Sequence, residues 1–183
     1  MSEELIVRYC SPTLAGIKTG SLFSCSYSDI SEMRDGIRYF NRLLGKKGLR
    51  VLPLYSRNNR ALIYVYRPSM LITDLRDIGA MCILRERGYV GSTPVSFIAR
   101  LKRRIADNGD FPHEIGLFLG YPVEDVHGFI ENKAEGCKCV GCWKVYGDME
   151  MAQKLFKKYK KCTEVYCLQY ARGRSVEKLT VSV

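Results

Sequence analysis

The chain has 183 residues, 46 % of them hydrophobic and 26 % charged, the composition of a folded globular protein rather than a disordered or fibrous one. Its 29 lysines and arginines against 19 carboxylates leave a formal charge of +10, which favours an anionic partner over a cationic one. The opening MSEELIVRYC lacks the basic start and apolar run of a signal peptide, and no apolar stretch approaches the ~20 residues that cross a bilayer, so a cytoplasmic protein without membrane contact is expected.

In chain order, residues 10–23 (CSPTLAGIKTGSLF) form a run of small residues with one proline and two glycines, which reads as a turn-rich loop leading into a strand over 21–27. Asp29-Ile-Ser-Glu32 has the form of a capping box, opening a helix with Ile30, Met33, Ile37, Phe40 and Leu44 on its apolar face and a stop near Gly45. Residues 49–55 and 61–67 are rich in aliphatic and aromatic side chains and are predicted as a hairpin joined through Ser-Arg-Asn-Asn by a four- or five-residue loop. Pro68 starts a helix with Leu71, Leu75, Ile78 and Cys82 on one face and Gly88 as its stop.

Thr93-Pro94 supplies a cap and first residue for the next helix, which buries Phe97, Ile98, Leu101 and Ile105, shows a basic face over 100–104 and runs to Asn108-Gly109. Residues 112–119 and 122–132 read as two short helices about a Gly-Tyr turn, with Glu124 and Asp125 at the positive end of the second. Residues 143–146 alternate as a strand, Trp143 and Val145 on one face and Lys144 and Tyr146 on the other. Asp148 caps a helix through the lysines of 154–161, and 178–183 alternates as a terminal strand. This order implies an α+β fold: a single domain with a small mixed or antiparallel sheet packed against about five to six helices.

Three segments can carry chemistry. In the first, Gly16 and Gly20 allow backbone amides to approach an anion, Lys18 supplies a point charge, and Thr13 and Gly16 are ligand contacts. Cys10 would be a nucleophile or redox thiol if Lys18 lowered its pKa; the competing account is a small buried hydrophobe. The spacing is not that of a nucleotide-hydrolysing P-loop. In the second segment, His113 and Glu114 open a helix as an acid–base pair, with Tyr121 orienting or binding substrate and Lys144 as a further ligand contact; capping and packing roles compete with this.

The third segment holds Cys137, Cys139 and Cys142, with Cys162 and Cys167 downstream. Three close thiolates and a fourth from Cys162 can bind zinc or an iron–sulfur cluster, although C-x-C-x-x-C departs from the paired knuckles of a zinc ribbon, and ordinary reduced or redox-active thiols are the alternative.

The motifs CSPTLAGIKTGSLF (10–23), RALIYVYRP (60–68), FPHEIGLFLGYPVEDVHGFI (111–130) and WKVYGD (143–148), with the KKYKKC that follows, resemble the bacterial domain-of-unknown-function family 3793 over nearly the whole chain. The resemblance implies a free-standing bacterial cytosolic protein and names no activity. Three functions follow as expectations. One is a thiol-dependent enzyme or redox accessory binding a small anionic ligand or cofactor through Cys10, Lys18, His113 and Glu114. Another is a basic module for an acidic protein or, less favoured, nucleic acid. The last is a cysteine-ligated zinc or iron–sulfur protein.

Overall fold

The structure, a computed structural model, describes residues 1–91, 93–107 and 111–182. In chain order its elements are α1 (Glu3–Leu14), β1 (Gly20–Ser26), α2 (Ile30–Gly45), β2 (Arg50–Arg57), β3 (Arg60–Tyr66), α3 (Pro68–Asp74), α4 (Ile78–Glu86), α5 (Pro94–Ala106), α6 (Ile115–Phe118), α7 (Val123–Glu131), β4 (Cys139–Val140), β5 (Lys144–Val145), α8 (Met149–Ala171) and α9 (Val176–Leu179). The fold is α+β, and the chain gathers into two compact units, Met1–Ser69 with Tyr159–Val183, and Met70–Lys158. Six expected helices become nine among the described residues, because α1 and α9 were not foreseen and the predicted 68–88 helix is two. No described helix is long and apolar enough to cross a membrane.

The first unit is built on a three-stranded antiparallel sheet of order β1-β3-β2. The hairpin connection is tighter than expected: Arg57 pairs with Arg60, and Asn58 and Asn59, at φ 50° and 57°, make a two-residue turn whose left-handed backbone conformation matches the right-handed twist of the strands. Phe23, Val51, Ile63 and Val65 on one sheet face pack with Ile6, Val7, Cys10 and Leu14 of α1 and Met33, Phe40 and Leu44 of α2.

Helix α1 takes over the first five residues of the expected loop, Cys10 to Leu14. Ser2 caps it by accepting from the Leu5 amide at 3.3 Å, Glu3 and Glu4 sit favourably in the first turn, and the buried positions recur at helical spacing. Gly16, at φ +72°, stops it with Ile17 N donating to Pro12 O at 3.0 Å. The α2 box is displaced by one residue: Glu32 accepts from the Ser28 hydroxyl at 2.6 Å, while Asp29 takes the Ser31 hydroxyl.

The predicted C-terminal strand is instead α9, capped by Ser175, after which Val181 N donates to Leu14 O at 3.0 Å. Arg67 closes this end. Fully buried, it donates from Nε to Thr13 O (2.7 Å), from Nη2 to Leu14 O and Val181 O (2.7 Å each) and from Nη1 to Lys47 O (3.1 Å). Burial pushes its pKa down.

In the second unit, Asp77 starts a new helix by accepting from the Ala80 amide at 3.0 Å, which breaks the 68–88 helix. Leu71 and Leu75 stay buried, but Ile78 is 83 % exposed and Cys82 is exposed, so the single apolar face expected there does not exist. Thr93 caps α5 as predicted, with Phe97, Ile98 and Leu101 buried; the expected stop at Asn108-Gly109 lies outside the described residues. The cysteine-rich segment contributes β4, which pairs with β5 in the register Cys139↔Val145 and Val140↔Lys144. Trp143 and Val145 are buried as the alternation requires. Asp148 caps α8, whose residues to Lys158 belong to this unit and whose remainder belongs to the other.

Candidate functional site

The second unit holds two buried carboxylates that organise its surroundings. Asp125 stands in the first turn of α7, where its charge suits the helix dipole. Its Oδ2 accepts from Trp143 Nε1 at 2.6 Å, and its Oδ1 accepts from the amides of Tyr146 (2.7 Å) and Gly147 (2.8 Å). One carboxylate therefore fixes the indole and the strand end of the β4–β5 hairpin against α7. The approach is close enough to require glycine: a Cβ on Gly128 would lie 2.5 Å from the Tyr146 ring, and one on Gly141 would lie 2.2 Å from the Phe156 ring. Trp143 is held between Tyr121, stacked at 4.6 Å between centroids, and the edge of Phe156 at 4.5 Å.

This framework borders a cavity of about 200 Å³ lined chiefly by Tyr121, Val126, Phe129 and Trp143, with Asp125, His113 and Lys144 among its polar members. Lys144 Nζ donates to Ala134 O at 2.7 Å and stands 5.9 Å from the centre of the Phe129 ring. Cys142 also lies on the cavity wall, and its carbonyl accepts from the Tyr121 hydroxyl at 3.3 Å.

The second carboxylate, Glu114, is buried at the start of α6. Its Oε1 lies 2.6 Å from Arg104 Nε of α5 and accepts from the Tyr89 hydroxyl at 2.9 Å. Burial, and next the Glu114 charge, push the Tyr89 phenol far above its ordinary value, so it is a permanent donor. Beside this trio lies a larger cleft of about 530 Å³, lined by Arg87, Arg104, Lys133, His113, Glu114 and Phe129 among others. Three cations there face one carboxylate, and that carboxylate is already engaged.

His113 and Phe129 line both cavities, their rings 4.8 Å apart and edge to face. His113 is exposed while its neighbours Pro112 and Glu114 are buried. The adjacent pair thus divides its work: Glu114 turns inward to hold Arg104 and Tyr89, and His113 turns outward to the cavities.

The residues singled out from sequence are split between the units. His113, Glu114, Tyr121 and Lys144 stand together in the second. Cys10, Thr13, Gly16 and Lys18 belong to the first. Thr13 is buried and shares a hydrogen bond with Ser21 at 2.9 Å, Gly16 is the helix stop, and Lys18 Nζ donates to Gly20 O. Burial pushes the Cys10 thiol up to about 12, outweighing the Lys18 charge and the Ser21 hydrogen bond that act the other way. A thiol in that state is protonated at neutral pH.

No group of three or more His, Cys, Asp or Glu side chains is arranged to hold a metal among the described residues. Cys139 pairs across from Val145 within the hairpin, Cys142 is exposed beyond β4, and Cys162 is assigned to the other unit. Arg87, Tyr89, Lys133 and the role of Asp125 do not stand out in the sequence: Tyr89 and Asp125 act through partners far along the chain, and Arg87 and Lys133 gain meaning only from the cleft they line. The available signal was the pair of proline-led short helices, which places several polar side chains at adjacent helix starts.

A family model described as protein of unknown function (DUF3793) matches residues 6–180. No curated protein and no solved structure matches the chain.

Proposed function

The chain belongs to the DUF3793 family of proteins of unknown function, and we propose that it is a small-molecule binding protein whose ligand is an organic anion held in the Met70–Lys158 unit. The observation that carries this reading is the charge balance of the larger cleft. Arg87, Arg104 and Lys133 line it, and Glu114, the carboxylate beside them, is buried and bound to Arg104 and Tyr89. The lining is left with an excess of two positive charges around a space of ligand size. Guanidinium groups suit such an anion because their planar donors match its oxygens.

The reading keeps the small anionic ligand expected from the overall charge and moves it away from Cys10 and Lys18. Calorimetric titration with inorganic phosphate at low ionic strength tests it. One saturable site is expected, weakened about tenfold by Lys133→Gln and weakened again by added salt, which screens charges at such an open site. Heats that never saturate, or that are identical in wild type and Lys133→Gln, would remove the proposal.

A further inference from the structure

We infer that the bound anion is an aryl phosphate, its phosphate facing Arg87, Arg104 and Lys133 in the larger cleft and its ring entering the smaller cavity beside Tyr121, Phe129 and Trp143. The inference rests on the anion site proposed above and adds the other half of the ligand. His113 and Phe129 border both spaces with their rings packed edge to face, so the two spaces adjoin across one pair of side chains, and a ligand with two unlike ends reaches both by displacing or skirting that pair.

The two ends face unlike chemistry. The larger cleft has a surplus of two positive charges, three cations less Glu114, which complements a phosphate dianion better than a monoanion. In the smaller cavity, both Asp125 oxygens accept from protein donors, Trp143 Nε1 donates to Asp125, Lys144 Nζ donates to Ala134 O, and the Tyr121 hydroxyl donates to Cys142 O. What these engaged groups leave for a ligand is chiefly ring faces and the Ile115 and Val126 side chains, with His113 at the border shared with the cleft and Lys144 the one cation, a lining that suits an unsubstituted aromatic ring better than a nucleobase bristling with donors and acceptors. Size agrees: an apolar cavity of ~150 Å³ holds benzene, so about 200 Å³ takes one ring with room to spare.

Trp143 is the only tryptophan in the chain and lies on the wall of the ring cavity, so its fluorescence reports occupancy there. Phenyl phosphate, inorganic phosphate and adenosine monophosphate are titrated into the intact protein, following heat and Trp143 emission together. Phenyl phosphate is expected to bind about tenfold more tightly than inorganic phosphate and to change the emission saturably, with adenosine monophosphate weaker than phenyl phosphate. Inorganic phosphate should bind without moving the emission. Lys133→Gln should weaken phenyl phosphate and inorganic phosphate by the same factor, because it touches only the anionic end.

If phenyl phosphate binds no better than inorganic phosphate and the emission is flat, the ring compartment is wrong while the anion site stands. Tighter binding of adenosine monophosphate overturns the choice of an apolar ring. Absence of binding by all three removes both proposals.

Discussion

The two units bury charge in opposite ways. In the first, the buried group is a cation, Arg67, and its partners are four backbone carbonyls from three separate stretches of chain. In the second, the buried groups are anions, Asp125 and Glu114, and their partners are side chains and amides, of which Trp143 and Arg104 also line cavities. The first arrangement closes the structure, because the guanidinium is fully buried and its donors go to carbonyls of its own unit. The second opens it: holding Trp143 and Arg104 from behind leaves the indole face and the rest of the guanidinium turned toward space. Buried charge serves architecture in one unit and site construction in the other.

The largest effect should come from breaking the closed arrangement. Arg67→Met keeps the aliphatic stem but removes four hydrogen bonds from a charged donor, each worth about 1.5–3 kcal/mol, while Thr13 O and Leu14 O retain the Gly16 and Val181 amides. We expect a loss of about 4 kcal/mol or more in urea denaturation, with phosphate binding by the surviving native fraction unchanged. A loss below ~1 kcal/mol would show that the carbonyls find water and that the cluster is not structural.

Next is the open arrangement. Asp125→Asn retains the shape but brings an NH₂ group against either the indole N–H or the two amides, donor facing donor. A loss of about 3 kcal/mol is expected, close to the cost of breaking a buried charge network. Unlike Arg67→Met, it should also shift Trp143 emission in the native state, since the indole loses its anchor. A destabilised protein with unaltered emission would separate Asp125 from the cavity wall.

This contrast also explains what was legible beforehand. The α5 cap at Thr93, the stop of α2 at Gly45 and the faces of Trp143 and Lys144 are decided within a few residues, and local pattern found them. Helix α1 was hidden because Pro12 and the glycines around it are strong breaker signals. The helix survives them because the N–H that Pro12 lacks would have gone to the carbonyl of Arg8, on its exposed side, and because Gly16 falls just past its end. The hairpin loop was drawn too long because Arg57 and Arg60 look like turn residues, whereas the two asparagines alone supply the positive φ.

The candidate site was half legible for the same reason. His113, Glu114, Tyr121 and Lys144 could be found as residue types at helix starts and on a strand, but Arg104 and Tyr89 reach Glu114 from 10 and 25 residues away. Asp125 looked like a dipole-compensating residue, and its partners lie 18 to 22 residues on. Arg67, by contrast, left a mark in the sequence: a lone charge closing the apolar run ALIYVY.

A smaller effect separates the roles of Glu114 and Asp125. Glu114→Gln keeps an acceptor for the Tyr89 hydroxyl and loses only the charge that pairs with Arg104, whose side chain is 26 % exposed and can reach water. About 2 kcal/mol of destabilisation is expected, less than for a fully enclosed pair. The released positive charge should tighten phosphate binding a fewfold. Weaker binding would mean that Glu114 positions Arg104 for the anion more than it competes with it.

The smallest effect tests the first unit again, through pH. Cys10 is fully buried, and its thiol is raised from 9.0 to about 12. A raised acid binds its proton more tightly when folded, so its contribution is fully present below pH 9, the unfolded value, and is lost as the pH climbs toward 12. At about pH 10 the unfolded chain gains about 1.4 kcal/mol from ionising this thiol, whereas at about pH 8 it gains almost nothing. Tyr66, Tyr89 and Tyr166 are raised too and act in the same direction, so the slope of wild type alone is not diagnostic. The difference between wild type and Cys10→Ala is. The alanine variant is expected to start lower from lost packing but to lose about 1.4 kcal/mol less between the two pH values in paired urea titrations. Equal losses in the two proteins would mean that Cys10 ionises as readily folded as unfolded, which would reopen it as a reactive thiol and remove the sharpest difference between the closed unit and the open one.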